Sequence, residues 1–365
     1  MNTDDGEPTT RTPADASFAE AEGRSARLEQ ALHRDPGAHR ILTGDRPTGP
    51  LHLGHYFGTL QNRVRLQNLG VQLFVLVADY QTITDRDSPD SLPEDVDALV
   101  ADYLAVGIDP ERATIFAHSQ VEGLNQLFLP FLSLVSVAEI ERNPTVKDEL
   151  AASGQPAMSG LMFTYPVHQA ADILFCKGTA VPVGKDQLPH LEIARLIARR
   201  FNRRYSPERP YFPEPDALLS EAPVLLGTDG QKMSKSRKNS IPLGATPDET
   251  AKLIAQAKTD SDRFITYDPV KRPEVSNLLL LAALCSNRPP ESIAAEIGDG
   301  GSGTLKRLVT EAVNEHFREI RGRRAEVLRD RGYLRRVLLA GNARARDIAG
   351  QTLADVRRLM HTSYG

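Results

Sequence analysis

Two stretches of this chain carry residues suited to handling a polyphosphate. In the first, Gly44, Gly49 and Gly54 punctuate a turn that ends in Leu51-His52-Leu53-Gly54-His55. Glycines let a backbone approach a ligand closely, and a helix starting there points unpaired N–H groups and a positive dipole end at phosphate. His52 and His55 add side-chain donors; their spacing would also suit a metal ion, or a histidine satisfied within the fold. The second stretch is Gly230-Gln231-Lys232-Met233-Ser234-Lys235-Ser236-Arg237-Lys238, a cationic loop hinged on glycine. Such a loop favours polyphosphate. A solvated basic surface or a localisation signal is the plainer reading, and against it stands the interruption of the charge by Met233, Ser234 and Ser236.

Either stretch can act only if it stands at the carboxyl end of a parallel sheet, where turns feed helix N-termini. The surrounding pattern meets that demand. Arg40-Ile41-Leu42 opens a strand ending at Thr43-Gly44, residues 45–50 turn, and a helix is expected over 56–69. Residues 71–78 form a continuous apolar run that suits a strand buried on both faces, with Asp79 at its carboxyl end. A helix over 95–106 and a strand over 113–117 complete a β-α-β-α-β series, the mark of a parallel sheet covered by helices. Residues 120–165 carry helical patterns and read as an insertion. A strand resumes at 179–183, Gly184-Lys185-Asp186-Gln187 follows, and 188–201 is an amphipathic helix. Residues 206–223 read as loop leading to Val224-Leu225-Leu226. The expected organisation is α/β: a doubly wound parallel sheet over 38–245 with its helical insertion at about 120–165, then an α-helical domain over 246–365. The N-terminal extension, 1–37, is expected to be disordered to about residue 24, with a short helix over 25–33.

At 365 residues, with 40% hydrophobic and 25% charged side chains, the chain can bury a sizeable core and carries no apolar run of membrane-spanning length. The stretch after Met1 is polar and acidic and lacks the pattern of a secretory signal, so a cytoplasmic location is expected. Cys176 and Cys285 stand far apart, outside any metal or disulfide pattern. Net charge is -4, yet from Leu305 onward Arg and Lys outnumber Asp and Glu about two to one. Arg318, Arg321, Arg323, Arg324, Arg329, Arg331, Arg335 and Arg336 make a surface on which a polyanion could dock, or an ordinary solvated helix face.

Leu51-His52-Leu53-Gly54-His55 and Lys232-Met233-Ser234-Lys235-Ser236 together resemble the paired HIGH and KMSKS signatures of class I aminoacyl-tRNA synthetases, in the family's order. The resemblance runs from about Ile41 to the C-terminus. It implies a Rossmann-type core, ATP brought in with Mg2+ and no dedicated protein metal site, and a two-step reaction. In that reaction an amino-acid carboxylate attacks the α-phosphate of ATP, and the acyl group then moves to tRNA. It further implies that His52, His55, Lys232 and Lys235 are the catalytic groups. ATP would be held by Arg46, Pro47, Thr48, Gly54 and His55, by Gly184, Lys185 and Asp186 on its ribose side, and by Val224 at the adenine. Lys232, Met233, Ser234, Lys235 and Ser236 would also bind ATP, with Lys232 and Lys235 following the leaving pyrophosphate and Gly227 and Gly230 letting the loop close.

The segment Tyr165-Pro166-Val167-His168-Gln169-Ala170-Ala171-Asp172-Ile173-Leu174 resembles the side-chain pocket of the tryptophanyl and tyrosyl branch of that family. Tyr165, Gln169 and Asp172 share one helical face. An indole only donates, whereas a phenol donates and accepts, and Asp172 could take a proton from either. The tyrosyl alternative therefore stays open on residue types alone, as does a nucleotidyltransferase outside translation. Resemblance to the tryptophanyl pattern at 181–187, at Thr259-Asp260-Ser261 and at Ser276-Asn277-Leu278-Leu279 implies L-tryptophan and tRNA(Trp) as substrates. Asp172 would then read the indole N–H, with Tyr165, Gln169, Gln187 and Gln81 around the amino acid. Arg46, Gln169 and Gln81 depart from the residues common in relatives. The resemblance also implies a homodimer, with 120–165 near its interface, and a tRNA anticodon-binding role for the helical region, where Arg323 and Arg324 are expected to meet phosphates. Tryptophan itself is absent from the chain, which would let such an enzyme be made while charged tRNA is scarce.

Overall fold

A computed structural model describes residues 13–82, 91–143, 158–184, 187–219 and 223–364. Five parallel strands form its sheet: β1 (Arg40–Asp45), β2 (Gln72–Val77), β3 (Ala113–Ala117), β4 (Ala180–Val183) and β5 (Asp216–Leu219), in the order β3-β2-β1-β4-β5. Alternate residues face opposite sides, so Ile41, Val75 and Ile115 enter one apolar core while Leu42, Phe74 and Phe116 enter the other. β2 is buried from Leu73 to Val77, as its unbroken apolar run requires. Strand order reverses between β1 and β4, which opens a crevice at their carboxyl ends.

Register sets what stands along that edge. Asp45 pairs with Val77 and Val77 with Ala117, so Arg46, Ala78 and His118 each begin just past the sheet in line with one another. β5 was expected as loop: its four residues are too short for a periodic signal and follow a Pro-rich stretch, and pairing with β4 supplies what local pattern does not.

Both outer strands are covered by helices, and here two expectations are corrected. The N-terminal helix runs Pro13–Arg34, starting well before residue 25, because it has a partner: Ala21, Ser25, Leu28 and Leu32 are buried, and Ser25 Oγ accepts the amide of Leu219 in β5. At the other edge the last helix, Arg331–Leu359, lies against β3. Ala117 N donates to Asn342 Oδ1 at 3.0 Å, and Gly341 sits so close that a Cβ there would come within 1.8 Å of the Ile115 carbonyl oxygen. Residues 246–359 are dominated by helices, yet they share the core with the sheet. Leu279, Val313, Phe317 and Leu334 belong to one apolar cluster with Ile41 and Val75; Ala345, Ala349 and Val356 belong to the other with Phe116. A division at 245 separates strand-bearing from helical sequence, not two cores.

Candidate active site

The first glycine-histidine stretch leaves β1 at Asp45 and enters a helical run, Leu53–His55, through a π-helical segment, Tyr56–Leu60, into Gln61–Leu69. Asp45 and Arg63 brace the two ends of the turn. Arg63 is 2% exposed and places Nη1 2.5 Å from Asp45 Oδ2, an oxygen that also accepts Tyr103 Oη at 2.8 Å. Burial alone would raise the Asp45 carboxyl, but the guanidinium beside it overrides this and holds it well below the usual carboxylate range. The middle of the turn is clamped elsewhere. Leu53 N donates to Ile241 O at 3.0 Å and Leu243 N to Leu51 O at 2.8 Å, so the segment after the cationic loop is laced to the histidine turn.

His52 and His55 lie ring against ring, with centroids 3.7 Å apart. Burial lowers both from the ordinary value near 6.5, to about 3 for His52 and, against the opposing pull of the Asp45 carboxylate, to about 4 for His55. Both are therefore neutral at neutral pH. His55 Nδ1 accepts the His52 amide at 3.2 Å, which puts the His55 hydrogen on Nε2 and makes that atom a donor. Nδ1 of His52 is buried with no protein partner. Gly54 packs closely: a Cβ there would stand 3.0 Å from the His52 ring, so that ring would have to give way.

The cationic loop closes onto this turn. Lys235 Nζ donates to the Gly49 carbonyl at 2.7 Å, across 186 positions of sequence, and lies 3.5 Å from Thr48 Oγ1. Met233 is buried while Lys232 and Ser236 are exposed; Ser234 and Ser236 hydroxyls meet at 2.9 Å. Asn239, 3% exposed, holds the loop's shape: its Oδ1 accepts Ser234 N, and its Nδ2 donates to Asp229 Oδ1 and the Lys232 carbonyl. Gly227 is not a free hinge. A Cβ there would meet Asn239 Cγ at 2.3 Å, whereas Gly230 takes φ +81, a backbone that favours glycine. Residues of the C-terminal region hold the loop's base: Asn277 bonds both backbone groups of Leu226, Lys258 N donates to Thr228 O, and Arg272, just before a helix, clamps Asp260 through two bonds of 2.7 Å.

Beyond β2 and β3, a third set of residues converges. Asp79 caps its own segment, accepting Tyr80 N, Ser119 N and Ser119 Oγ, and is thereby spent within the fold. Asp172, on the helix Gly160–Leu174, is 1% exposed, with His118 Nε2 2.8 Å away. Tyr165 shares the buried face and bonds His190 Nε2 through its hydroxyl at 2.9 Å; Gln169 is half-buried on the same helix. Gln81 lies in the short helix after β2, and Gln187 caps the helix Leu188–Tyr205, its amide on the Gly184 carbonyl.

The fold thus gathers Thr48, His52, Gly54, His55, Met233 and Lys235 at one point. Arg46 and Pro47 directly follow β1, and Gly184 directly follows β4, on the same sheet edge. Val224 is 64% exposed and contributes no enclosing wall. Lys185 and Asp186 lie outside the described residues. Sequence reasoning missed Arg63, Tyr103, His118 and Asn239, for which no local pattern stands out. Of the two arginines expected to meet phosphates, Arg323 is exposed and donates to the Ala105 carbonyl through Nε, while Arg324 pairs with the buried Asp102.

Residues 35–318 match the family of class I tRNA synthetases described as W and Y. The tryptophan–tRNA ligase of Clostridium longisporum is 39% identical over 333 residues, covering 89% of this chain and 97% of that protein. That of Lactococcus lactis subsp. lactis is 40% identical over 337 residues, covering 89% and 98%. Among solved structures, the tryptophanyl-tRNA synthetase of Campylobacter jejuni complexed with ADP and tryptophan superposes with a TM-score of 0.77 at 33% identity, over 88% of this chain and 99% of that one.

Proposed function

The chain belongs to the class I tRNA synthetases of the tryptophan and tyrosine group, and from that membership we propose how its residues divide the work of the reaction. Its activity is that of an ATP-dependent tryptophan–tRNA ligase. A tryptophan carboxylate oxygen bonds to the α-phosphorus of ATP as the bond to pyrophosphate breaks. A ribose hydroxyl at the tRNA terminus then attacks the acyl carbon, and AMP leaves. ATP arrives as its Mg2+ complex, the metal being part of the substrate.

Such a reaction asks the protein for positioning and charge stabilisation. The neutral His55 offers Nε2–H to a phosphate oxygen, and the unpartnered His52 Nδ1 is a second polar atom facing the same turn. Lys235 exchanges the Gly49 carbonyl for the β- and γ-phosphates, and Lys232, exposed on the same loop, follows the departing pyrophosphate. Asp172 accepts the indole N–H; its two oxygens lack an aligned donor, which supports this assignment. Tyr165, Gln169, Gln187 and Gln81 surround the amino acid, while Arg46, Pro47, Thr48, Gly184, Lys185, Asp186 and Val224 contact the nucleotide.

The observation that carries the reading is the 2.7 Å contact between Lys235 Nζ and Gly49 O, which unites two motifs from opposite ends of the core. The test is ATP–pyrophosphate exchange with each amino acid offered separately: tryptophan should drive it, and faster exchange with tyrosine would overturn the assignment. The exposed Arg318, Arg329, Arg331, Arg335 and Arg336 are proposed to meet tRNA. A homodimer formed through the 120–165 region is supported by exposed Leu129 and Val137 there; sedimentation at dilute protein checks it. No helix among the described residues is long and apolar enough to cross a membrane; a cytoplasmic location is proposed, and a role in translation supports it.

A further inference from the structure

Neither carboxylate oxygen of the buried Asp172 has an aligned hydrogen-bond donor. An interior carboxylate must be compensated by whatever faces it. His118 faces it: fully buried, with Nε2 2.8 Å from Asp172 Oδ1 but without the alignment of a hydrogen bond, and with both ring nitrogens otherwise unpartnered. His118 follows β3 directly, so strand register fixes where its backbone stands. Its ring is hemmed by Tyr80, stacked at 6.4 Å, and by His168, one helical turn before Asp172, at 4.7 Å.

Asn125 ties this group together. Its Oδ1 is 2.8 Å from His168 Nε2, and its Nδ2 donates to the carbonyls of His118 and Val121. His168 therefore carries its hydrogen on Nε2, and one amide holds both the His168 ring and the backbone of His118. A carboxylate turns easily about its last torsion, whose profile is broad. Holding one oxygen on an imidazole N–H decides where the other points, and such bonds commonly tighten only when substrate is present.

We propose that His118 is the positioning residue that aims the Asp172 carboxylate at the amino-acid side chain, with the Tyr80 and His168 rings flanking its imidazole and Asn125 holding its backbone. Selection for a ligand bearing an N–H is then a property of the His118–Asp172 pair. This rests on the reading of Asp172 as the indole acceptor.

The test uses the full chain and two substrates, L-tryptophan and its benzothiophene isostere, which has sulfur where the indole has N–H. Preference is the ratio of their kcat/KM values in pyrophosphate exchange. His118→Leu is expected to lower that preference about tenfold through a higher KM for tryptophan, leaving KM for ATP and exchange with the isostere unchanged. His118→Gln keeps an N–H donor and is expected to restore most of the preference. Because the chain has no tryptophan, emission from the bound amino acid reports its Kd directly and gives a second readout independent of turnover. Equal losses with both substrates in His118→Leu, preference intact, would mean a merely structural role and overturn the proposal. Stoichiometric binding of zinc alone, lost in the same variant, would also overturn it, since His118, His168 and Asp172 bring potential ligand atoms within 4.8 Å of one another. A wild-type enzyme that fails to distinguish the two substrates would instead remove the Asp172 reading on which it stands.

Discussion

Arg324 Nε lies 2.5 Å from Asp102 Oδ1, and the other oxygen of that buried carboxylate accepts the Leu51 amide at 3.1 Å. A residue 222 positions beyond Asp102 thereby anchors the turn that carries His52 and His55. Burial pushes the Asp102 carboxyl upward, and the guanidinium opposes it; removing the arginine would leave a fully buried charge uncompensated.

Arg324→Leu is accordingly expected to cost about 3–5 kcal/mol of stability, read from urea unfolding, and to depress amino-acid activation. Arg331→Gln with Arg335→Gln, both exposed, should leave pyrophosphate exchange intact while lowering the salt slope of tRNA binding by about 2. Unimpaired exchange in Arg324→Leu would refute the anchoring role.

Lys235→Ala removes a charge positioned at the histidine turn. A fall in kcat for activation of about 10²–10³, with little change in tryptophan binding, is expected from losing one preorganised charge contact. Rapid-quench measurement of adenylate formation checks it, and a change confined to KM for tryptophan would count against it.

Asn239→Ala strips the cationic loop of the amide that bonds Ser234, Asp229 and Lys232. KM for ATP should rise about tenfold with the fold retained, because a loop that closes over substrate must then be ordered at binding. Gly227→Ala, whose new Cβ would overlap Asn239, should reproduce the effect; an unchanged ATP dependence in both would exclude it.

Stability should fall in acid through the two histidines. Both are lowered in the folded protein, to about 3 and about 4, so the unfolded chain binds protons near 6.5 while the native state does not. Their contribution is complete above about pH 6.5 and is lost as pH drops toward 4 for His55 and 3 for His52. Denaturation midpoints measured from pH 7.5 to 4.5 should decline, and His55→Gln should flatten the slope. A slope identical to wild type would contradict the neutral burial of His55.

Much of the site was legible because its parts are local. Apolar runs of strand length, a glycine-rich turn feeding a helix and a lysine-serine loop all carry their meaning within about a dozen residues. β1 to β4, the placement of His52 and His55, and the loop around Lys235 follow from them. β5 did not, since four residues beside prolines hold no period, and its identity comes from the neighbour it pairs with.

What only the tertiary structure decided concerns partners far apart along the chain. An arginine-rich helix reads the same whether its side chains meet solvent, phosphate or a buried carboxylate, so the pattern alone could not assign Arg324 to Asp102. Nor could it bring His118, set by strand register, against Asp172, set by helical phase, or lay the last helix along β3. Short-range periodicity reports which face of an element is apolar. Which charge that face finally opposes depends on packing between elements, and that information arises only when the chain has folded.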